Sequence, residues 1–228
     1  MMEPKPIYLL AGGPPRSPSG MVACLRRALK QCGKEKPRVA YIGTASGDNA
    51  LFFAAIKALL HEAGAGKVEL VHLVKPNSDT GAAKEALEAS EAVFISGGEV
   101  EDGMIGLARH GLPAFLKELY QGGTLFIGVS AGSIMLGTHW VRWADPDDDA
   151  TASLFDCLGF VPTVFDTHAE DEDWREIKTA LRLMGPGAQG YGIPRDGMLS
   201  ADGEGRLTSL EKEPLRFVND GGRVVFSE

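Results

Sequence analysis

Short apolar runs recur through the first 135 residues, and most are followed by stretches whose apolar residues are spaced three or four apart. Uninterrupted runs are typical of strands buried on both faces of a parallel sheet, and the wider spacing is typical of amphipathic helices. The runs predict strands at residues 7–11, 38–42, 68–74, 92–95 and 125–127. The spacing predicts helices at residues 21–30, 52–63, 82–89 and 104–120. Four or five strand–helix units indicate an α/β fold, with helices on both faces of a mainly parallel sheet.

Glycine and proline set the limits of several of these elements. The first strand is expected to close in a Gly-Gly-Pro-Pro loop at residues 12–15, and the helix at 104–120 is expected to break near Gly111 and Pro113.

The pattern changes after residue 135. Residues 139–149 carry two tryptophans and an acidic run. We interpret them as an irregular loop near the functional site of the protein. Residues 161–165 predict a strand, and the apolar spacing of residues 174–184 predicts a helix. From Tyr191 onward, short alternating runs separated by Asp-Gly turns predict an antiparallel section. With no repeat or linker in the sequence, residues 1–228 are expected to form a single domain.

Composition narrows the class of protein. The 228 residues are 44% hydrophobic and 24% charged, which is ordinary for a globular chain. The formal charge of −8 disfavours a nucleic-acid partner. The N-terminus lacks the features of a signal peptide, and no apolar run approaches the length that spans a bilayer, so we expect a soluble, cytoplasmic protein without a membrane partner. The three cysteines suggest neither a disulfide framework nor a zinc site.

The strongest chemical signal is Gly-Val-Ser-Ala-Gly at residues 128–132, directly after the last predicted strand of the first half. Such a sequence is typical of a nucleophile elbow, a sharp strand-to-helix turn that presents a serine hydroxyl between residues small enough for close backbone approach. Ser130 is therefore the candidate nucleophile.

A serine hydroxyl needs a base within hydrogen-bond reach, and histidine suits that role near neutral pH. His61, His72 and His110 lie in predicted helices or strands and are expected to be structural or solvated. His139 lies in the acidic stretch and remains a candidate. His168 follows a predicted strand downstream of the elbow, which is the position expected of a triad base, and it is the preferred one.

Several acidic residues could orient that histidine. Asp196 follows a predicted strand and precedes a glycine, although Asp-Gly is also a common turn sequence. Asp166 and the acidic residues at 170–173 lie close to His168 in the chain. Spacing alone does not choose among them.

Four motifs occur in a definite order: Ser-Gly-Gly at residues 96–98, the elbow at 128–132, Leu-Gly-Phe at 158–160 leading to Asp-Thr-His at 166–168, and Gly-Ile at 192–193 shortly before Asp196. In this order they resemble the serine peptidases of the peptidase E (dipeptidase E) and cyanophycinase family. The resemblance extends from the first predicted strand to Gly197.

This resemblance implies the class I glutamine amidotransferase-like fold, a three-layer α/β/α sandwich. It implies that Ser130 is the nucleophile, that His168 is the base and that Asp196 stands where peptidase E has its third, acidic member. Gly98 and Ala131 would supply the two backbone N–H groups of the oxyanion hole. No metal or organic cofactor is implied, and the expected substrate is a short peptide or a related amide. A homodimer is compatible with the sequence.

Two departures from the family bear on the substrate. Glu99 follows the paired glycines where relatives often have Asn or Asp, and the basic residues that help peptidase E-like members recognise an acidic side chain are replaced by an acidic stretch with only Arg175 nearby. We take Glu99 and Arg175 as candidate substrate-binding residues. If the acidic runs at 145–149 and 170–173 border the cleft, they would favour a cationic group, and no strong preference for an amino-terminal Asp is expected.

Three alternatives compete with this interpretation. An α/β-hydrolase esterase or amidase also uses the elbow, but its triad order is serine, acid, histidine. A glutamine amidotransferase proper has cysteine at the elbow, and Ser130 disfavours it. A catalytically inactive binding protein of the same fold is disfavoured because serine, histidine and aspartate all occupy matching positions.

Overall fold

The computed structural model describes residues 4–12, 18–75 and 77–227, so part of the loop predicted at residues 12–15 lies outside the described residues. Within these ranges the helices are α1 (Pro18–Lys30), α2 (Ala50–Glu62), α3 (Thr80–Glu88), α4 (Val100–Arg109), α5 (Leu112–Gln121), α6 (Ala131–Leu136) and α7 (Arg175–Met184). The strands are β1 (Ile7–Leu10), β2 (Val39–Ile42), β3 (Val68–Val71), β4 (Ala92–Ile95), β5 (Leu125–Val129), β6 (His139–Trp143), β7 (Ala152–Asp156), β8 (Val164–Thr167), β9 (Gln189–Ile193), β10 (Met198–Ala201), β11 (Leu207–Ser209), β12 (Leu215–Asp220) and β13 (Arg223–Ser227). Over the described residues, no helix combines the length and apolar character needed to cross a membrane.

The largest sheet has seven strands in the order β11-β10-β1-β5-β4-β2-β3. Its five strands from the first half of the chain pair in parallel, while β10 and β11 are antiparallel. The predicted α/β fold with a mainly parallel sheet is therefore confirmed.

Alternate residues of the buried strands feed two separate apolar cores. Leu9, Ile95 and Phe126 lie on the face covered by α3 to α6. Tyr41 and Ile127 lie on the opposite face, against α1 and α2. Because successive strand side chains point to opposite faces, a fully apolar run is what two covered faces require. The result is the expected α/β/α layering.

A second sheet of four strands has the order β13-β12-β9-β8, in which β8 and β9 are parallel and the other pairs are antiparallel. The chain then leaves β9 and returns to the large sheet as β10, beside β1. The antiparallel section predicted after Tyr191 is therefore divided between two sheets.

The prediction of an irregular loop at residues 139–149 is wrong in its first half. Residues 139–143 form β6, which pairs with β7, and only the acidic run beyond them lies in the connecting loop. Trp140 contacts Phe155 across the two strands, and Val141 is fully buried in a different apolar cluster on the opposite face. Apolar contacts on both faces of the hairpin outweigh the polar residues of the segment.

The strand predicted at residues 161–165 begins later, at Val164, and continues to Thr167. Pro162 precedes it and has no backbone N–H to contribute to a ladder. The break predicted in the long helix is confirmed, because Gly111 adopts a left-handed conformation with φ +61° between α4 and α5.

Ser133 connects α6 to Leu10, the last residue of β1. Its buried hydroxyl accepts a hydrogen bond from Leu10 N at 3.0 Å and donates one to Leu10 O at 2.9 Å. The elbow helix is thereby fixed to a strand 123 residues away in the sequence.

We predict that Ser133→Ala lowers the free energy of unfolding by about 1–3 kcal/mol, because it leaves buried backbone groups of Leu10 with fewer partners. Chemical denaturation measures the change. Ser153→Ala, at an exposed position of β7, is the matched control and should stay within about 0.5 kcal/mol of the parent. Equal stability of the two variants would contradict the prediction.

Candidate active site

Ser130 lies at the turn between β5 and α6 in an uncommon backbone conformation, with φ +52° and ψ −122°. Its backbone N–H donates to Leu10 O at 2.9 Å, which fixes the turn to the end of β1. A non-glycine residue at positive φ is held there only when its surroundings demand it, and such strain is concentrated at functional sites.

The two glycines of the elbow are required by close backbone contacts. A Cβ on Gly128 would lie 2.5 Å from Gly132 O, and a Cβ on Gly132 would lie 2.2 Å from Ile95 O. Neither position has room for a methyl group, because backbone atoms cannot move aside as a flexible side chain can. The spacing of the motif therefore has a steric cause.

His168 follows β8 and also has a positive φ, of 46°. Its N–H donates to Ile193 O at 2.8 Å, and its Nε2 lies 2.8 Å from Ser130 Oγ. The structure thus brings Ser130 and His168 together, although the histidine comes from the second sheet rather than from the sheet that carries the elbow. At this distance the ring can accept the hydroxyl proton.

Gly98 and Ala131 line the same cavity as Ser130. Gly98 has φ +135°, and a Cβ there would lie 1.9 Å from Ala45 O. Glu99 N donates to that same oxygen at 2.8 Å, and this bond holds the Gly-Gly turn in place. Ala131 is the first residue of α6.

Asp196 lies in the segment that crosses from the second sheet to the first. It has φ +61°, and its Oδ2 lies 3.6 Å from Lys212 Nζ. The neighbouring Gly197 accepts a hydrogen bond from Ala11 N at 3.0 Å, so this turn lies at the same end of β1 as the elbow. In the described part of the chain, the His168 ring bonds to Ser130 and makes no hydrogen bond to a carboxylate. The role of Asp196 remains a prediction.

One side of Ser130 and His168 opens into an acidic cavity of about 260 Å³. Four carboxylates line it, one from the start of α4, one from β8, one from the turn before α7 and one from α7 itself: Glu99, Asp166, Glu172 and Glu176. Among the described residues that line this cavity, none is a lysine or an arginine.

Burial and mutual repulsion change the acidity of two of these carboxyl groups. Burial, followed by the charge of Glu176, raises the pKa of Asp166 to about 7, although backbone N–H groups of Thr167 and Ile177 donate to its carboxylate. Burial also raises the pKa of Glu176, whose Oε2 accepts a hydrogen bond from Trp140 Nε1 at 2.6 Å. Both groups therefore hold their protons more tightly than a free carboxyl group does.

The other side of the pair opens into a wider cleft of about 910 Å³ along α2. Its wall is mainly apolar, and it includes Phe52, Leu59 and Val129 together with Ser130 and His168. The pair thus lies between an acidic cavity and an apolar cleft.

Arg175, a candidate substrate-binding residue, is engaged by the acidic loop between β6 and β7. Its Nη2 donates to Asp149 Oδ1 at 2.7 Å and to Pro146 O at 2.8 Å, and its guanidinium lies 4.7 Å from the centre of the Trp143 ring. Its neighbour Glu176, rather than Arg175, lines the acidic cavity.

Two of the other histidines have structural partners. His110 bonds to Thr80 Oγ1 at 2.7 Å and to Leu73 O at 2.9 Å, and His139 Nε2 lies 3.4 Å from Asp156 Oδ1. Over the described ranges, no group of three or more histidine, cysteine, aspartate or glutamate side chains could hold a metal ion.

Sequence reasoning missed Trp140, Glu176 and the apolar wall of α2. These residues come from separate elements, and no local motif connects them. A clue to Glu176 was a carboxylate in the first turn of a predicted helix that follows the candidate base.

A parallel α/β sheet, a strained serine at an elbow and a histidine in hydrogen-bond contact with its hydroxyl define a serine hydrolase. The sequence model of Peptidase family S51 matches residues 8–208. The chain therefore belongs to this family of serine-type peptidases, and its substrate class is peptide or amide.

Individual proteins agree with this assignment. The chain is 26% identical to a cyanophycinase of Nostoc sp. over 210 residues, covering 86% of this chain and 70% of the relative. It is 29% identical to peptidase E of Streptomyces coelicolor over 136 residues, covering 60% of this chain and 53% of that protein. The crystal structure of a peptidase from an acI-B1 Actinobacterium has the same fold, with a TM-score of 0.66, 13% identity and coverage of 99% of this chain and 98% of the other.

The buried Asp166 carboxyl predicts a pH dependence of stability. Because burial raises its pKa from 3.8 to about 7, the folded state holds this proton more tightly than the unfolded chain does. The contribution of the Asp166 carboxyl group to the free energy of unfolding is therefore complete below its unfolded pKa. It is lost as the pH rises toward 7, by up to about 1.4 kcal/mol per pH unit.

We expect the wild type to lose stability relative to Asp166→Asn between pH 4 and 7, measured by denaturant unfolding at each pH. Glu88→Gln removes an exposed carboxylate of α3. Its free energy of unfolding should differ from that of the wild type by the same amount at each pH. Parallel pH curves for wild type and Asp166→Asn would contradict the assignment.

Proposed function

We propose that this protein is an exopeptidase-like serine hydrolase, a dipeptidase in the broad sense, that cleaves short peptides or related amides through an acyl-enzyme. The observation that carries the proposal is the 2.8 Å contact between Ser130 Oγ and His168 Nε2 at the mouth of two cavities. Membership of the peptidase family supports the reaction type.

In the proposed reaction, Ser130 Oγ attacks the scissile carbonyl carbon while His168 Nε2 takes the hydroxyl proton. Backbone N–H groups of Gly98 and Ala131 stabilise the negative oxygen that forms. When the C–N bond breaks, the leaving amine takes the proton from the His168 ring. Water then attacks the acyl-enzyme with His168 again as base, which releases the carboxylic acid and restores Ser130.

Asp196 is proposed as the group that orients His168 and stabilises the imidazolium. Two observations support it. Its turn lies at the end of β1 that also holds the elbow, and His168 N is bonded to Ile193, three residues before Asp196.

The acidic cavity supports a preference for a cationic group on the substrate. Glu99, Glu172 and Glu176 surround the space beside Ser130, and an ammonium group placed there would relieve their repulsion. The α-amine of a short peptide is such a group, and a lysine or arginine side chain is another. Arg175, bound to Asp149, would serve to hold the neighbouring loop rather than to receive an acidic side chain.

A fluorophosphonate probe tests the nucleophile and base. We expect the wild type to be labelled, Ser130→Ala to be unlabelled and His168→Ala to be labelled at least about a hundredfold more slowly, since the base activates the hydroxyl. His139→Ala, which removes a histidine paired with Asp156, is the matched control and should label at the wild-type rate. Equal labelling of all four proteins would end the hypothesis.

The orienting acid is tested with Asp196→Asn and Glu170→Gln. We expect Asp196→Asn to lower kcat by roughly a hundredfold or more, but by less than Ser130→Ala does. Glu170→Gln removes a rival acid that contacts Arg195 and should lower kcat by less than about threefold. The opposite ranking of the two variants would transfer the role to Glu170.

A dipeptide panel tests charge preference. Peptides with a free amino terminus or a basic side chain should be cleaved with a higher kcat/KM than N-acetylated or acidic counterparts, by roughly tenfold. Glu172→Gln, at an exposed position on the cavity, should reduce this ratio, while Asp220→Asn on β12 should not. Selective cleavage of peptides with amino-terminal Asp would show that the acidic cavity does not set specificity.

A further inference from the structure

Helix α2 presents an apolar surface to the cleft beside Ser130. Five of its side chains form this surface, which we call the α2 stripe: Leu51, Phe52, Ala55, Ile56 and Leu59. Leu51 is 83% exposed and Phe52 is 37% exposed, whereas Ile56 is only 6% exposed. The stripe therefore runs from the protein core outward to solvent along the wall of the cleft.

Folding does not account for the outer half of this stripe. Ile56 and Leu60 already fix α2 against the sheet, and Asn49 caps the start of the helix. A single exposed leucine is ordinary, but a contiguous apolar surface beside a reactive group usually marks a binding site. Leu51 and Phe52 thus form an apolar surface that the isolated fold does not need.

Two polar side chains near the stripe already have hydrogen-bond partners within the chain. Asn49 Oδ1 accepts hydrogen bonds from Leu51 N and Phe52 N at 3.1 and 3.0 Å. Ser46 Oγ lies 3.0 Å from Gly43 O and 3.2 Å from Ser96 Oγ. The wall therefore offers a ligand mainly apolar contact.

The stripe is continuous with the reacting pair. The same cleft is lined by Gly97, Gly98, Ser130 and His168. Because the stripe and Ser130 line one cleft, an occupant of the stripe that is compatible with turnover must be small enough to enter with the scissile bond. The volume of the cleft, about 910 Å³, is within the range of small-ligand pockets.

We infer that the α2 stripe is a specificity subsite that binds an apolar side chain of the substrate, next to the scissile bond and opposite the acidic cavity. This inference rests on the proposed peptidase function. The substrate class that fits both walls is a short peptide with a cationic group on one side of the scissile bond and a large aliphatic or aromatic side chain on the other. Transfer of such a side chain from water to the stripe favours leucine or phenylalanine over alanine.

The test uses the full chain and two series of dipeptides, Xaa-Ala and Ala-Xaa, in which Xaa is Ala, Leu, Phe or Asp. In one of the series, Leu and Phe should raise kcat/KM by about tenfold or more over Ala. The double variant Leu51→Asn/Phe52→Asn should remove most of that gain, measured as the ratio of kcat/KM for the Leu or Phe peptide to kcat/KM for Ala-Ala. Leu183→Asn, at a 45% exposed leucine on α7, is the matched control and should retain the full gain.

Binding measured by calorimetry to Ser130→Ala separates this inference from the proposed function. Leu- or Phe-containing peptides should bind about tenfold more tightly than Ala-Ala, with a negative heat-capacity change, and the gain should disappear when the α2 substitutions are added.

If the wild type cleaves peptides but Leu and Phe give no gain in either series, the subsite is refuted and the proposed peptidase function stands. If the wild type cleaves none of the peptides, the proposed function fails, and the binding result still decides the subsite. A double variant that keeps the gain, or a Leu183→Asn variant that loses it, also overturns the inference.

Discussion

The structure depends on how closely the backbone at the elbow is packed against its neighbours. Gly128 meets the carbonyl of Gly132, and Gly132 meets the carbonyl of Ile95, at separations that exclude any side chain. This contact presses α6 against the ends of β4 and β5, and the Ser133 hydroxyl fixes it to β1. Since the same contact determines the position of Ser130, the packing of the large sheet and the geometry of the site are not separable.

The partner of Ser130 depends on a second contact, between α6 and the small sheet. Thr138 N donates to Thr163 O at 2.8 Å, and a Cβ on Gly137 would lie 2.8 Å from that oxygen. The segment after α6 is therefore held directly against the entry to β8, the strand that ends at His168. The backbone contacts of the elbow, at residues 128–132, and of residues 137–138 thus set the 2.8 Å separation between Ser130 Oγ and His168 Nε2.

The sequence was informative where a local pattern had a single physical cause. Apolar runs predicted the parallel sheet because burial on both faces leaves no room for alternation, and small residues around Ser130 predicted the elbow because the turn excludes side chains. The hairpin at residues 139–156 was missed because its stability comes from cross-strand pairs that are visible only once the strands are paired. The sequence analysis expected negative charge beside the cleft if the acidic runs at 145–149 and 170–173 border it, but of these runs only Glu172 lines the acidic cavity. Its carboxylates come from four elements whose proximity is a product of the tertiary fold, and Arg175 has a loop carboxylate as its partner.

The position of β1 has a consequence for the order in which the molecule folds. It lies between β5 and β10, and its first residue pairs with Ala201, so the middle of the large sheet is completed by two distant parts of the chain. Contacts of such long range carry a large loop-closure cost and form slowly. The elbow relies on Leu10 for two of its anchoring groups, so helices α1 to α5 can be substantially formed while Ser130 still lacks its final support. The contact between the Ser130 hydroxyl and the His168 ring would then be among the last to form during folding.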